Sequence, residues 1–405
     1  MINLKRKIIC GLLVSLTLLS GCGKNNHEHK DNHNHNHNHV GEHEKADKNV
    51  IKANEVLEKY DITITGAFDT VTKAAIYAKS EDEAQKYLSY IEHRLQDLHE
   101  KFNSFEAYDN LNNVKTINDM AGKEAVPVCD EILNLLEFAK EYENKYSNKT
   151  NILIGSITDL WLKYRTAYTF EESLEMPSDE EMQARKADVI KEFGSALPTD
   201  KELKAAKAFC NPQNLEIDKN NKTVFLKKPK MMLDVGSIAK GYACQIIKEE
   251  VEKMGVEAGL ISAGGNVVTL GDVNKLGRDK FIIGVQSPDG KNFQKYQDGI
   301  ILKLGIKDEA VVTSGDYQRY FDLDGKRYCH IIDPDSAMPG NLYRSVTVVT
   351  KDSGLADFLS TALFLTPLDE AMKLVNSQEG IEAVFVTDDG QFHFSKNMKN
   401  YLIED

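Results

Sequence analysis

The spacing of apolar residues changes close to Lys222, and this change constrains the fold more than any other feature of the sequence. Before Lys222, apolar residues recur every three or four positions within long charged stretches, a pattern typical of amphipathic helices. After it, short β-rich runs such as FIIGVQ, IILKLGI and SVTVVT are separated by Gly, Asp and Asn turns. A helical N-terminal half packed with a strand-rich C-terminal half predicts an α+β fold.

Individual elements can be placed from the same patterns. Residues 69–79 predict a strand, and residues 81–103 predict a helix with acidic side chains in its first turn. One face of this helix is apolar, at Ala84, Leu88, Ile91, Leu95 and Leu98. A second helix is predicted to begin with Asp130 as its N-cap. In the strand-rich half, further helices are predicted after Ser237 and from about Ser353.

Residues 1–21 have the pattern of an export signal. A basic head at Lys5–Lys7 precedes an apolar run, Ile8–Ser20, that is short for a membrane span and fits a secretory signal. The sequence LSGC, which ends at Cys22, resembles the lipobox of bacterial lipoproteins, in which the cysteine carries the lipid. Cys22 is therefore the expected lipid anchor; an uncleaved membrane anchor is the alternative. Either one predicts a chain held at the cell membrane on its extracytoplasmic face.

Residues 22–49 are rich in His and Asn. Seven of the chain's eleven histidines lie between His27 and His43, and no apolar periodicity accompanies them. Such a segment cannot offset its ordering entropy by burial, which predicts a disordered tether. Clustered imidazoles can also bind transition metals, and the sequence leaves that role open.

Residues 50–405 are expected to form the folded domain. The net charge is −13 and no basic tract occurs in this part, which argues against nucleic-acid binding. There is no GxGxxG or GxxxxGK[ST] motif, so neither Rossmann nor P-loop chemistry is indicated. The domain's cysteines are widely spaced, so disulfides and free thiols are equally open, at Cys129, Cys210, Cys244 and Cys329.

The stretch MMLDVGSIAKGYACQ, residues 231–245, combines an acid, a tight turn and a base. It predicts a strand that ends at Asp234, a turn through Gly236 and Ser237, and a helix with Lys240 in its first turn. Helix N-termini expose unpaired N–H groups and are common sites for phosphates. The alternative is a capped helix with a solvated Lys240.

Asp357 and Thr361 are four residues apart on the predicted late helix and so share one face. A carboxylate and a hydroxyl together suit Mg²⁺, which uses few protein ligands beside phosphate and water. The alternative is a threonine hydroxyl bonded to its own helix beside an exposed aspartate.

Five segments of the second half carry most of the Gly, Ser, Thr and Asp motifs. They are LDVGSIAKGYA (233–243), ISAGGNVVTLG (261–271), VVTSGDYQRYF (311–321), RYCHIIDPDSAMPG (327–340) and SVTVVTKDSGLADFLSTALF (345–364). In this order and spacing they resemble the FAD:protein FMN transferases, the ApbE-type flavinyltransferases. The earlier segments FDTVTKAAIY, LHEKFNSF and IGSITDLW match the family as well, so the resemblance covers nearly everything after Val50. It implies an ApbE-like fold.

The resemblance also implies an activity and a site. Members of the family bind FAD and Mg²⁺, split the pyrophosphate, and join FMN to a Thr or Ser hydroxyl of a partner protein while AMP leaves. Their acceptors carry an Asp-x-x-Ser/Thr-Gly-Ala-Thr/Ser type of site. Carried over position by position, the metal ligands are Ser237, Asp357 and Thr361. The FAD-binding residues are Asn103, Thr150, Asn151, Asp234, Lys240, Gly264, Gly265 and Ile331.

His330, with Asp357, is the catalytic residue that the resemblance implies. A hydroxyl is a weak nucleophile, and a base within hydrogen-bond reach accelerates its attack by roughly 10²–10⁴-fold. The alternative for His330 is a structural hydrogen bond before the Pro turn. The chain departs from the family pattern at Ser237 and Ala337, each in place of a glycine, and at NKTNIL, residues 148–153.

Two other functions remain open at this stage. One is hydrolysis of FAD to FMN and AMP at the same site, without an acceptor. The other is a lipoprotein that only binds flavin or metal, although a passive binder does not need an acid, a base and a hydroxyl together.

Overall fold

The computed structural model describes residues 56–169, 178–288 and 299–403, and it confirms the predicted α+β class within them. The predicted export signal, the lipid-anchor residue Cys22 and the predicted tether lie outside the described residues. Among the described residues, no helix combines the length and the apolar character that a membrane crossing needs.

The helices and strands are numbered here in chain order. The helices are α1 (Glu81–Phe102), α2 (Val114–Asp119), α3 (Asp130–Lys145), α4 (Gly155–Tyr168), α5 (Asp179–Phe193), α6 (Asp200–Lys207), α7 (Ala239–Lys253), α8 (Ser353–Phe364) and α9 (Leu368–Asn376). The strands are β1 (Glu58–Ala67), β2 (Thr70–Ala78), β3 (Val126–Pro127), β4 (Leu215–Asp218), β5 (Thr223–Leu226), β6 (Ala258–Ala263), β7 (Asn266–Gly271), β8 (Phe281–Gln286), β9 (Ile300–Ile306), β10 (Ala310–Gly315), β11 (Tyr320–Leu323), β12 (Lys326–Cys329), β13 (Ser345–Thr350), β14 (Glu382–Val386) and β15 (Phe392–Phe394).

The central sheet has eight strands in the order β1-β2-β6-β7-β10-β13-β14-β15, and its neighbouring strands pair antiparallel. Smaller sheets are formed by β3-β5-β4, β8-β9 and β11-β12. The hairpin β1-β2 pairs with β6, so strands from both halves of the chain build one sheet. The two halves of the sequence therefore differ in secondary structure, but they do not form separate units, because their strands share one sheet.

Helices α1, α7 and α8 pack together with this sheet to form the main core. The predicted helix α1 is confirmed: the Ser80 side chain caps it by accepting from the Glu83 N–H at 3.3 Å, and its predicted apolar face is buried. Helix α8 is buried along most of its length, including Asp357 and Ser360. Polar groups in such a helix need partners, and these partners shape the site described below.

The predicted N-cap of α3 is wrong by one residue. Cys129 has the extended backbone of a cap, whereas Asp130 is already helical. The Cys129 side chain makes no capping bond, and Asp130 instead pairs with Lys222 at 2.8 Å. An acidic side chain in the first turn still stabilises the helix by interacting with the helix dipole. Asp130 therefore marks the start of α3, one residue after the actual N-cap.

The four cysteines of the described residues are free thiols. Cys210, Cys244 and Cys329 are buried, and burial raises the pKa of the Cys244 thiol to about 12. These side chains act as small core residues and not as nucleophiles.

Candidate active site

A cavity of about 440 Å³ opens between α4, the start of α7, α8 and the turn between β6 and β7. The site residues predicted from the sequence are spread from Asn103 to Thr361 along the chain, yet the structure brings all of them to the wall of this cavity. They are Asn103, Thr150, Asn151, Asp234, Ser237, Lys240, Gly264, Gly265, His330, Ile331, Asp357 and Thr361. Their common placement makes the cavity the candidate active site.

The segment before α7 forms one wall, and the strand predicted there is wrong. Residues 231–235 have no regular secondary structure and pair with no strand among the described residues. The buried side chain of Asn118 takes the place of a partner strand: it accepts from the Leu233 N–H at 2.7 Å and donates to the Leu233 carbonyl at 3.0 Å. The Asp234 N–H donates to the Ile152 carbonyl at 2.8 Å. The Asn118 side chain thus makes the hydrogen bonds to the Leu233 N–H and carbonyl that a neighbouring strand would otherwise make.

Asp234 is fixed by its neighbours. One carboxylate oxygen accepts from the Gly236 N–H at 2.9 Å, and the other accepts from the Thr158 hydroxyl at 2.7 Å. These bonds hold the turn that leads into α7, whose N-cap Ile238 makes no side-chain capping bond. Lys240, one residue into α7, reaches back to the Gly236 carbonyl at 3.3 Å.

Asp357 lies on the buried face of α8 and is 4% exposed. Its Oδ2 accepts from the Gly241 N–H at 2.8 Å, whereas Oδ1 has no hydrogen bond with any described residue. Burial raises the pKa of this carboxyl, and the charge of Lys240 and the Gly241 N–H lower it. One carboxylate oxygen therefore serves the fold, and the other is free for a ligand.

Thr361 lies one turn after Asp357, as predicted. Its hydroxyl is 3.4 Å from the Ser314 hydroxyl of β10, so the alternative of a bond back to its own helix is not what the structure has. It is Ser360 that bonds back, by donating to the Asp357 carbonyl at 3.0 Å. Thr361 is thus turned toward the strand side of the cavity.

The oxygen atoms of Asp357, Thr361 and Ser237 fit a hard cation better than a transition metal. No group of three or more His, Cys, Asp or Glu side chains that could hold a metal occurs in the described ranges. Zinc and similar transition metals are usually bound by such groups, whereas Mg²⁺ is commonly held by one or two carboxylates together with substrate phosphates. A single free carboxylate oxygen, with two hydroxyl residues on the same cavity wall, is a donor set of the second kind.

His330 follows β12 and lies at the cavity wall with one ring nitrogen buried. Its backbone N–H donates to the Arg319 carbonyl at 2.9 Å, but its Nδ1 is buried without a hydrogen-bond partner among the described residues. Burial holds the pKa of His330 well below its usual value, and the charges of Arg319, Arg165 and Lys240 lower it further. The imidazole is therefore neutral at physiological pH and able to accept a proton.

Three of the predicted FAD-binding residues use their side chains within the protein. Asn103 accepts from the Phe105 and Glu106 N–H groups at 2.8 and 2.9 Å, and the Thr150 hydroxyl donates to the Phe358 carbonyl at 3.0 Å. The Asn151 amide donates to the Cys210 carbonyl at 3.1 Å. These residues shape the cavity wall, and any contact with a ligand falls to their backbone or remaining surface.

The turn Gly264-Gly265 joins β6 to β7. Both residues have positive φ, +55° and +91°, the conformation of a two-residue hairpin loop. A Cβ on Gly264 would lie 2.1 Å from the Thr70 hydroxyl oxygen, so this glycine is required by packing against β2. The turn therefore has a structural reason in addition to its place on the cavity wall.

The sequence motifs missed several residues of the wall. Arg165 and Arg319 add positive charge, and Phe105, at 40% exposed, lies at the wall with a large apolar surface. Trp161 and Phe321 each pack with Tyr328, with ring centroids 5.8 and 5.1 Å apart. Of these residues only Arg165 lies outside the segments quoted above; the others stand within those segments, where the motif gave their side chains no role of their own.

The chain also matches known proteins in sequence. A profile described as the ApbE family matches residues 68–385. A FAD:protein FMN transferase of Klebsiella pneumoniae (strain 342) is 33% identical over 275 residues, covering 68% of this chain and 74% of the relative. One of Treponema pallidum (strain Nichols) is 28% identical over 285 residues, covering 67% and 70%.

Solved structures match as well. The ApbE protein of Thermotoga maritima aligns with a TM-score of 0.68 at 27% identity, over 86% of this chain and 100% of that chain. A flavin transferase ApbE of Vibrio cholerae aligns with a TM-score of 0.66 over 85% of this chain and 100% of that chain. At 22% identity the second match speaks for the fold alone.

Proposed function

This chain belongs to the ApbE family and is a flavin transferase, and from this premise we propose that it uses Mg²⁺ to transfer FMN from FAD to a Thr or Ser hydroxyl of an extracytoplasmic redox protein. AMP is the second product. The observation that most supports the proposal is the meeting of an unpartnered, neutral imidazole with a free carboxylate oxygen and hydroxyls in one cavity of the described residues.

The first part of the mechanism is binding of the dinucleotide. A cavity of about 440 Å³ with aromatic walls and several cations suits a ligand that has flat rings joined by a charged diphosphate. Lys240 and the start of α7 supply positive charge and N–H groups on the side of the Asp234 turn. Aromatic residues such as Trp161 and Phe105 offer apolar surface for a ring.

The second part is neutralisation of the diphosphate. Asp357, Thr361 and Ser237 would hold Mg²⁺, and the bound ion would share the negative charge of the phosphate oxygens. The Gly241 N–H fixes the orientation of the Asp357 carboxylate before any ligand arrives. Such preorganised charge is commonly the largest contribution to transfer reactions.

The third part is the transfer itself. The acceptor hydroxyl oxygen forms a bond to the FMN-side phosphorus, and the bond from that phosphorus to the bridging oxygen of AMP breaks. His330 Nδ1 takes the hydroxyl proton, and AMP leaves with the electron pair of the broken bond. Nδ1 has no hydrogen-bond partner among the described residues, so no other group there competes with the acceptor hydroxyl for it.

The experiment incubates the full chain with FAD, Mg²⁺ and an acceptor domain that carries an Asp-x-x-Ser/Thr-Gly-Ala-Thr/Ser site. Flavin fluorescence that stays on the denatured acceptor supports the proposal. Release of AMP without an acceptor indicates FAD hydrolysis, and neither product indicates a binding protein. Replacing the acceptor's Ser or Thr with Ala is the matched control, since it removes only the attacking hydroxyl.

The cellular part of the proposal is a lipid anchor at Cys22 and acceptors on the same face of the membrane. The support is the LSGC sequence after a basic head and an apolar run. The Cys22→Ser chain is expected to leave the membrane fraction and to lose incorporation of labelled palmitate. Retention in the membrane after that change would contradict the anchor.

A further inference from the structure

Helix α4 presents one face to the cavity over three successive turns. Thr158 donates to Asp234 at 2.7 Å, Trp161 donates through its indole N–H to the Ala337 carbonyl at 2.8 Å, and Arg165 follows one turn later. We propose that the guanidinium of Arg165 binds the diphosphate of FAD. This inference rests on the proposed function and adds a residue to it that no motif indicates.

Arg165 differs from the other cations of the cavity wall in having no partner among the described residues. Lys149 pairs with Asp333 at 2.8 Å, and Arg319 and Lys240 donate to the backbone carbonyls of Asp69 and Gly236 at 2.8 and 3.3 Å. The Arg165 side chain makes no hydrogen bond or ion pair with any residue in the described ranges, although Arg165 is partly buried. A guanidinium withdrawn from water without an acceptor is costly, and a bound anion would remove that cost.

The charges around Arg165 favour an anion. Burial is the main cause that lowers its pKa to about 10, and the nearby charge of Arg319 lowers it further, while Asp234 acts in the opposite direction. The charges of Arg319, Arg165 and Lys240 all lower the pKa of His330, the proposed base, and all four residues line the same cavity. A diphosphate brings the negative charge that this group lacks, and the planar fork of a guanidinium matches two phosphate oxygens.

A purely structural role is the alternative, since cations often stabilise the last turn of a helix by binding its carbonyls. In α4 that task falls to Thr169, whose N–H and hydroxyl donate to the Arg165 carbonyl at 3.0 and 2.8 Å. The Arg165 side chain takes no part in this cap. Its length and charge are therefore left for the cavity.

The test compares the full chain with Arg165→Met by titration calorimetry at constant Mg²⁺. The ligands are FAD, ADP, and the phosphate-free halves riboflavin and adenosine. We expect the Kd for FAD and ADP to rise about tenfold to a hundredfold, as for lost charge-assisted hydrogen bonds, and the Kd for both phosphate-free halves to stay unchanged. Arg278→Met, which removes an exposed arginine outside the cavity wall, is the matched control.

Equal losses for all four ligands would mean a structural role and would overturn the inference. If the Kd of Arg165→Met for FAD and ADP equals that of the wild type, and the wild-type chain transfers FMN, the inference is overturned and the proposed function stands. A wild-type chain that does not bind FAD would end both. If Arg165→Met lowers Tm well below the control, Arg165→Lys carries the comparison: ADP must still bind more weakly than to the wild type, and an unchanged Kd for ADP overturns the inference.

Discussion

The carboxylate of Asp357 accepts a hydrogen bond from the backbone N–H of Gly241 at 2.8 Å, which ties α8 to the first turn of α7. The proposed metal ligand is therefore also a contact between two core helices. An amide oxygen can still accept the Gly241 bond but carries no charge. Asp357→Asn is expected to reduce flavin transfer about a hundredfold or more while Tm changes little. Acceptor fluorescence and a thermal melt measure the two effects, and full transfer by the Asp357→Asn variant would refute the metal assignment.

Gly241 permits that contact because it has no side chain. A Cβ there would lie 2.3 Å from the Ser353 carbonyl and 2.5 Å from the Asp357 Cβ. Gly241→Ala should gain about 1 kcal/mol of helix propensity, yet we expect a net loss of about 1–3 kcal/mol from overpacking. Urea unfolding measures the free energy, and an unchanged or higher stability would show that α7 and α8 can move apart freely.

Asn118 replaces a partner strand for the Leu233 backbone, so removing its side chain leaves a buried N–H and a buried carbonyl unpaired. Asn118→Ala is expected to cost about 2–4 kcal/mol of unfolding free energy. Asn144→Ala is the matched control, since that exposed amide only bonds back to the Lys140 carbonyl, and its effect should stay within about 0.5 kcal/mol. Equal effects in the two variants would contradict the role given to Asn118.

The lowered pKa of His330 predicts a pH profile. Because the free enzyme's imidazole stays neutral below the usual histidine pKa of about 6.5, kcat/KM for FAD should remain level as pH falls to that value and decline only below it. An acidic limb centred at or above that value would contradict the burial of His330. His393→Asn, on β15 and outside the cavity wall, should leave the profile unchanged.

The same pKa shift has a consequence for stability. The unfolded chain binds a proton at His330 more readily than the folded chain, so the unfolding free energy should decrease as pH falls through about 6.5 toward the lower folded pKa. His330→Gln removes this contribution, and its stability should therefore depend less on pH in that window. Parallel urea midpoints for both chains would argue against the shift.

The sequence predicted those elements whose signal is local. The apolar spacing of α1 and the β-rich runs of the second half each follow from a few neighbouring residues. Residues 231–235 resemble a strand in sequence because a half-buried apolar segment has the same pattern whether its partner is a strand or the side chain of Asn118. That partner lies more than a hundred positions away, where no periodicity can indicate it.

The candidate site was likewise predicted where residues belong to motifs. His330, Asp357 and Lys240 stand in Gly- and Ser-rich segments whose resemblance to a family could be recognised. Arg165 lies in the last turn of an ordinary helix, where an arginine that faces solvent is common and indicates no function by itself. Only the course of α4 past the cavity and the absence of a partner among the described residues distinguish it.

The pairing of β2 with β6 has a consequence for how the molecule can be assembled. The β1-β2 hairpin completes its pairing only when β6, far along the chain, has formed. Such non-local pairing slows folding. A fragment that stops before Ala258 would carry Arg165 and Asp234 but no complete cavity. Two halves produced separately are therefore expected to be inactive alone and to regain function only by complementation.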